Sequence, residues 1–259
     1  MKEYTREEIN HLLDSLETGE LRVTEKNSDG TWVVHSWIKE AILAAFRLGV
    51  MTDMSQGAFP FYDKDTVPVR RISPQAGIRI VPGGSSIRRG AFIASSVVVM
   101  PPSYINIGAY VDEGTMVDSH ALVGSCAQIG KHVHLSAASQ VGGVLEPVGA
   151  LPVIIEDNAF IGGNCGIYEG TIIRERAVIG TGVIINASTS IYDAVHGNWI
   201  KANENGQITV PPGAVVVAGS RPVCKGPGKE EGIHLYCPVI VKYRDEKTDA
   251  SVSLEEFLR

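Results

Sequence analysis

Two aspartates, Asp112 and Asp118, stand six residues apart in the stretch YINIGAYVDEGTMVDSHALVGSCAQIG (Tyr104 to Gly130), each directly after a valine. A carboxylate there can take a proton from an amine, or it can simply close a sharp corner, where Asp is common. Three of the seven histidines, His120, His132 and His134, fall in or just beyond the same stretch. They offer an alternative base, although a lone histidine is more often structural. Arg70, Arg71, Arg79, Arg88 and Arg89 precede the stretch. A planar, permanently charged guanidinium suits a carboxylate ligand. Further on, Arg221, Lys225 and Lys229 stand among glycines in SRPVCKGPGKEEG, a pattern that suits a flexible phosphate contact and equally a solvated loop. The four cysteines, Cys126, Cys165, Cys224 and Cys237, form no CxxC pair and no zinc-type spacing. They are expected to be reduced thiols of a cytoplasmic protein.

These groups are embedded in a repeat. Val81, Ile87, Ile93 and every sixth residue on to Val141 are aliphatic, and the period resumes from Ile155 to Ile191 with an echo at Val210 and Val216. Two positions before the aliphatic stands mostly a small residue, as at Ala91, Ala109, Thr115, Ala121 and Ala159. A period of six fits neither the 3.6 of a helix nor a hairpin meander, but it fits a parallel β-helix in which each short strand and its turn take six residues. Three such units close one triangular coil, the aliphatic pointing inward. Roughly six to seven coils at about 4.8 Å each predict a prism about 30 Å tall. Its flat sides would expose apolar surface, and three prisms around a threefold axis are the expected remedy. The period breaks at 145–152 and 192–209, which are expected to leave the prism as loops, build the binding site and reach a neighbouring subunit.

Ahead of the repeat, Thr5 to Glu8 reads as a capping box for an amphipathic helix ending at Gly19. Asp29-Gly30 marks a hairpin turn, and Ser36 is the expected cap of a second helix that stops at Gly49. The Gly-, Pro- and Asp-rich segment that follows reads as irregular. The predicted organisation is a mainly β protein: a small α/β cap at 1–80, a β-helix at 81–217, and a strand and helix extension at 218–259. A net charge of −6 over 259 residues argues against a nucleic-acid binder working through its overall field. The start MKEYTREEIN lacks the apolar core of a signal peptide, and no apolar run approaches a membrane span.

GTMVDSHALVGSCAQIGKHVHLS, GGVLEP and LYCPVIVK resemble the tetrahydrodipicolinate N-succinyltransferases, a family within the hexapeptide-repeat acyltransferases. The similarity extends to LRVTEK and SWIKEAIL near the N-terminus. It implies a left-handed coil, a trimer with sites between subunits, and succinyl-CoA as co-substrate with no permanently bound cofactor and no metal. It implies that Asp118, in the MVD motif, contacts the amino-acid substrate as the candidate base, and that Arg79, in GIRIVP, holds a substrate carboxylate. Asp112 keeps the turn reading. The family carries a second catalytic glutamate three positions before the EG of GGNCGIYEG, where this chain has Gly166. Glu169 or Glu146 is the substitute candidate, each equally readable as a turn or surface residue. His120 stands where the family often has tryptophan.

The reaction so implied is attack of an amine on a succinyl thioester, within diaminopimelate and lysine biosynthesis. The alternatives are a relative that uses acetyl-CoA or another amino dicarboxylate, a zinc-dependent carbonic-anhydrase-like β-helix, and a non-catalytic scaffold. No two histidines are 18 or 36 positions apart, which argues against zinc ligands repeating one or more coils apart.

Overall fold

In a computed structural model, which describes residues 3–245, the period of six becomes a three-sided prism. Its first face stacks Arg79–Ile80, Val98–Val99, Met116–Val117, His134–Leu135, Phe160–Ile161 and Val178–Ile179, then the longer strand Ala214–Pro222. The second face runs from Ser86–Ile87 to Ile184–Ile185, and the third from Phe92–Ile93 to Ile208–Val210. Pairing is parallel, with Val117 opposite Val99 on one side and Leu135 on the other. The chain winds as a left-handed parallel β-helix.

Each hexad divides the work in the same way. The inward aliphatic is sealed, as Ile105, Val117 and Ile167 are. The small residue two positions earlier is buried at the corner, as Ala91, Ala121 and Ala159 are. The third residue after the aliphatic mostly takes the left-handed conformation, and eight such residues are not glycine: Ser96 (φ 68°), His120 (62°), Cys126 (64°), His132 (52°), Ala138 (59°), Asn158 (59°), Asn164 (57°) and Arg176 (59°). That conformation costs an L-residue about 1–2 kcal/mol, which the hydrogen-bonded ladders on both sides must offset.

The frame differs from the sequence expectation at both ends. On the first rung Ile80, not Val81, lies opposite Val99, because the chain enters from an irregular turn one residue out of phase. Ile191 is buried but is not a rung: it begins a hairpin, Ile191–Asp193 with Asn198–Ile200, inside the segment expected as a loop. Val210 lies opposite Ile173 instead, and Val216 opposite Ile179. The strand Ala214–Pro222 folds back as an antiparallel hairpin with His234–Tyr243. From that hairpin the Tyr236 hydroxyl accepts the Ile184 amide at 2.7 Å, closing the open end of the second face.

The cap covers the third face. Helix α1 (Arg6–Thr18) has the expected capping box and ends at left-handed Gly19. A hairpin, Thr24–Lys26 with Trp32–Val34, turns at Gly30 (φ 85°). Helix α2 (Ser36–Leu48) has His35 rather than Ser36 at its N-cap, with no side-chain cap bond, and stops at an extended Gly49. A Cβ on Gly49 would lie 2.9 Å from that of Lys64. The segment read as irregular holds a short hairpin, Met51–Asp53 with Tyr62–Lys64. Its strands are brief and mostly exposed, so no apolar alternation marks them.

Ile9, Leu13, Ile38 and Ile42 of the helices form one core with Ile107 and Cys126 of the prism. Trp32 and Val34 pack on Ile154 and Ile172. Lys39 is wholly buried and donates to the Ala150 carbonyl at 2.6 Å, with burial lowering its pKa. Burial beside it pushes the Cys126 thiol up to about 12. Among the described residues no helix is long and apolar enough to cross a membrane. Of the strand and helix extension expected at 218–259, the described part holds the hairpin and a one-turn helix, Pro227–Glu230, and the rest lies outside the described residues.

Candidate active site

With the third face closed by the cap, the first two faces and the corner between them remain. Asp118 is the first residue of that corner, after Met116–Val117. Its backbone is tied on three sides: its amide donates to Leu135 O at 2.9 Å, and its carbonyl accepts the Ala121 amide at 3.1 Å and the Ser103 hydroxyl at 2.8 Å. Its Oδ1 accepts the Ser119 amide at 2.7 Å. Asp112 does the same at its own corner, Oδ1 accepting the Glu113 amide at 2.8 Å. The two aspartates therefore share one corner geometry. Asp118 differs in that its Oδ2 faces Nε2 of His134, 3.6 Å away, while the carboxylate keeps 29% exposure.

Arg79 stands on the same face. In the outward file of the first face, Arg79, Val98, Met116, His134 and Phe160 follow one another in register. Two rungs separate Arg79 from Met116, about 10 Å along the prism. Arg79 is exposed. Three other arginines nearby hold the cap. Arg70 pairs with Glu17, Arg88 with Asp63, and Arg89 with Asp14. Arg71 is exposed off the prism strands. The fold thus gathers a guanidinium, an apolar strip and a carboxylate along one line.

The other candidates are not brought there. Glu169 and Glu146 line one cavity of about 450 Å³ with Ala150, Leu151 and Asn205, at the corner between the second and third faces. The whole second face separates them from Asp118. Gly166 lies on that second face with the Tyr168 ring across it, so the space a side chain would occupy is filled. His120 and His132 are exposed left-handed corner residues. Arg221, Lys225 and Lys229 are exposed on the projecting hairpin, Lys229 in a one-turn helix, Pro227–Glu230. All four cysteines are free, and among the described residues no three His, Cys, Asp or Glu side chains gather as a metal site. The partner that sequence reasoning passed over is His134. One coil is eighteen residues, so a corner residue just after an aliphatic meets the outward residue sixteen positions on, and that spacing is the signal.

Comparison with known proteins adds to this geometry. The family model described as tetrahydrodipicolinate N-succinyltransferase N-terminal matches residues 1–48, and that described as hexapeptide repeat of succinyl-transferase matches residues 152–187. The chain is 50% identical to the 2,3,4,5-tetrahydropyridine-2,6-dicarboxylate N-succinyltransferase of Yersinia enterocolitica, over 98% of this chain and 89% of the relative. Relatives bearing the same name in Burkholderia mallei and Burkholderia pseudomallei are also 50% identical, with the same coverage.

Proposed function

The chain belongs to the tetrahydrodipicolinate N-succinyltransferase family, and on that premise we propose that it moves a succinyl group from succinyl-CoA to the amino group of ring-opened tetrahydrodipicolinate, in lysine and diaminopimelate biosynthesis. The observation that carries the reading is 50% identity over 98% of the chain to enzymes of that name. The common file of Arg79 and the strand leading to Asp118 supports the site assignment. In this reading the protein is a cytoplasmic homotrimer with its sites between subunits, uses a CoA thioester as co-substrate, and carries no resident cofactor.

The chemistry follows from the side chains. Arg79 pairs with one substrate carboxylate and fixes the molecule along the first face. The amine arrives as an ammonium, and its proton passes to Oδ2 of Asp118, freeing the nitrogen lone pair. Nitrogen attacks the thioester carbonyl, the new C–N bond forms, and backbone N–H groups of a corner stabilise the oxyanion. As the C–S bond breaks, the thiolate of CoA leaves and takes the second nitrogen proton, and the product is an amide. Asp118 works as a single carboxylate, because position 166 supplies no second one. Arg221, Lys225 and Lys229 are the proposed phosphate contacts of the coenzyme.

Coupled thiol release tests the reading, with succinyl-CoA and acetyl-CoA each assayed against tetrahydrodipicolinate and 2-aminopimelate. Release specific to succinyl-CoA with these acceptors is expected. No release with either thioester would overturn it. Gly166 and its covering Tyr168 ring favour one second reading, in which the acceptor is a related amino dicarboxylate, and a preference for 2-aminopimelate analogues over tetrahydrodipicolinate would select it.

A further inference from the structure

The second residue after an inward aliphatic has a peptide N–H that the ladder does not use. After Leu135, Ser136 donates to Ile161 O at 2.9 Å, Ala138 to Ser119 O at 2.8 Å and Ser139 to Ser136 O at 3.0 Å, while Ala137 donates to no described residue. Where a side-chain oxygen is in reach, this second amide takes it. Glu113 donates to Asp112 Oδ1 at 2.8 Å, Ser119 to Asp118 Oδ1 at 2.7 Å and Lys131 to Asp157 Oδ1 at 2.8 Å. Ile107 donates in the same way to the neutral Asn106, Oδ1 at 2.8 Å. A donor to a developing oxyanion must offer the same length, about 2.7–3.1 Å.

Along the corner between the first and second faces, these second positions are Pro82, Pro101, Ser119, Ala137, Gly163 and Thr181 from the first rung upward. The two prolines have no N–H. That of Ser119 is spent on Asp118. The first amide open to a ligand is therefore that of Ala137, an exposed residue one coil, about 4.8 Å, above Ser119. Arg79 lies on the other side of Asp118, on the first rung.

We infer that the Ala137 N–H is the oxyanion donor of acyl transfer, so that the acceptor lies between Arg79 and Asp118 and the thioester lies above Asp118, toward the C-terminal end of the prism. The inference rests on the reading of Asp118 as the proton acceptor. Once the proton has gone to Oδ2, the nitrogen lone pair forms the C–N bond at the thioester carbonyl carbon, and the carbonyl π pair moves onto oxygen. That oxygen accepts the Ala137 N–H. When the pair returns, the C–S bond breaks and the thiolate leaves with its electrons. Ser136 and Ala138 on either side are held in the ladder, so the donor is already fixed when the charge develops.

The test uses the full-length protein with Ala137→Pro, Ser95→Pro, Ser136→Asn, Ser136→Ala and Asp118→Asn, measuring kcat, both KM values and thermal unfolding. Pro82 and Pro101 show that the fold accepts proline at this position, and the Ala137 amide makes no ladder bond to lose. In Ala137→Pro, kcat is expected to fall about 10²–10³-fold with both KM values and the melting temperature near wild type. Ser95→Pro makes the same change at an exposed second position of another corner, whose amide also donates to no described residue, and should keep wild-type turnover. Ser136→Asn should set a neutral side-chain oxygen on the Ala137 amide, as Asn106 does on Ile107, and lower kcat as well. Ser136→Ala should stay near wild type. Turnover of Ala137→Pro equal to that of Ser95→Pro, beside an inactive Asp118→Asn, would overturn the role of Ala137 alone. So would a raised KM for succinyl-CoA with kcat unchanged, since that marks uniform binding. Normal turnover in Asp118→Asn would overturn the reading beneath it. Should Ala137→Pro not fold, Ser136→Asn decides, and turnover equal to that of Ser136→Ala overturns the proposal.

Discussion

The ring of Tyr168 lies across Gly166 on the second face: a Cβ added to the glycine would come within 2.6 Å of Cε2 of the tyrosine and 2.9 Å of Cδ1 of Ile184. Any side chain at position 166 must displace that ring. Gly166→Glu alone should therefore lower the melting temperature, by an overpacking cost of about 1–3 kcal/mol. Gly166→Glu with Tyr168→Ala should recover stability, and thermal unfolding of both checks this. Equal stability of the two variants would show that the ring moves freely.

Arg79→Ala should raise KM for the dicarboxylate about 10- to 100-fold, the worth of a charge-assisted contact of about 1.5–3 kcal/mol, and leave KM for succinyl-CoA near wild type. Steady-state kinetics with each substrate varied in turn decides it. Equal effects on both would make Arg79 structural.

Glu156 gives the fold an acid-sensitive joint between the cap and the prism. Burial by itself would raise its pKa, but hydrogen bonds from the Glu175 amide, Trp32 and Lys26 and the charge of Arg174 overcome this and hold it at about 2, against an ordinary 4.5. A depressed folded-state pKa means that the stabilisation is complete above the unfolded value and is lost as pH falls toward the folded one. The contribution, about 3 kcal/mol, should be full above about pH 4.5 and gone near about pH 2. Denaturant unfolding of wild type and Glu156→Gln across that window should show the difference between them shrinking as pH falls. A constant difference would mean that the carboxylate's charge is not what matters.

Ile167 is sealed in the prism, its ladder partners being Val141 and Ile185. Ile167→Asp buries an unpaired carboxylate and should cost several kcal/mol, giving insoluble or unfolded protein. Thr181, exposed at a corner, should accept aspartate with little change. Soluble yield and melting temperature compare the two, and equal tolerance would contradict the inward frame.

The prism was legible in the sequence because its rule is local. An inward aliphatic such as Ile105 or Ile167 and a small residue two positions before it are demanded by each corner separately, so the period shows without knowledge of distant contacts. The cap helices were legible for the same reason, through the Thr5–Glu8 box and Gly19. Where a choice depended on what packs opposite, local pattern failed. Ile80 displaced Val81 because the first rung pairs with Val99, and Ile191 left the ladder because it pairs with Ile200 in a hairpin of its own. The hairpin at Met51–Lys64 is held by pairing across an exposed ribbon whose residues carry no alternation.

The same division runs through the candidate site. Residue type and motif singled out Asp118 and Arg79, but Asp112 has the same local corner bond as Asp118. Only the stacking of coils put His134 beside one aspartate, and only the insertion at 145–152 put Glu146 into a cavity with Glu169 and away from both. The sequence by itself determined which groups each corner presents, because a corner's backbone obeys its own six residues. The tertiary structure decided which of them meet, because that depends on how many residues each coil takes before it stacks on the last.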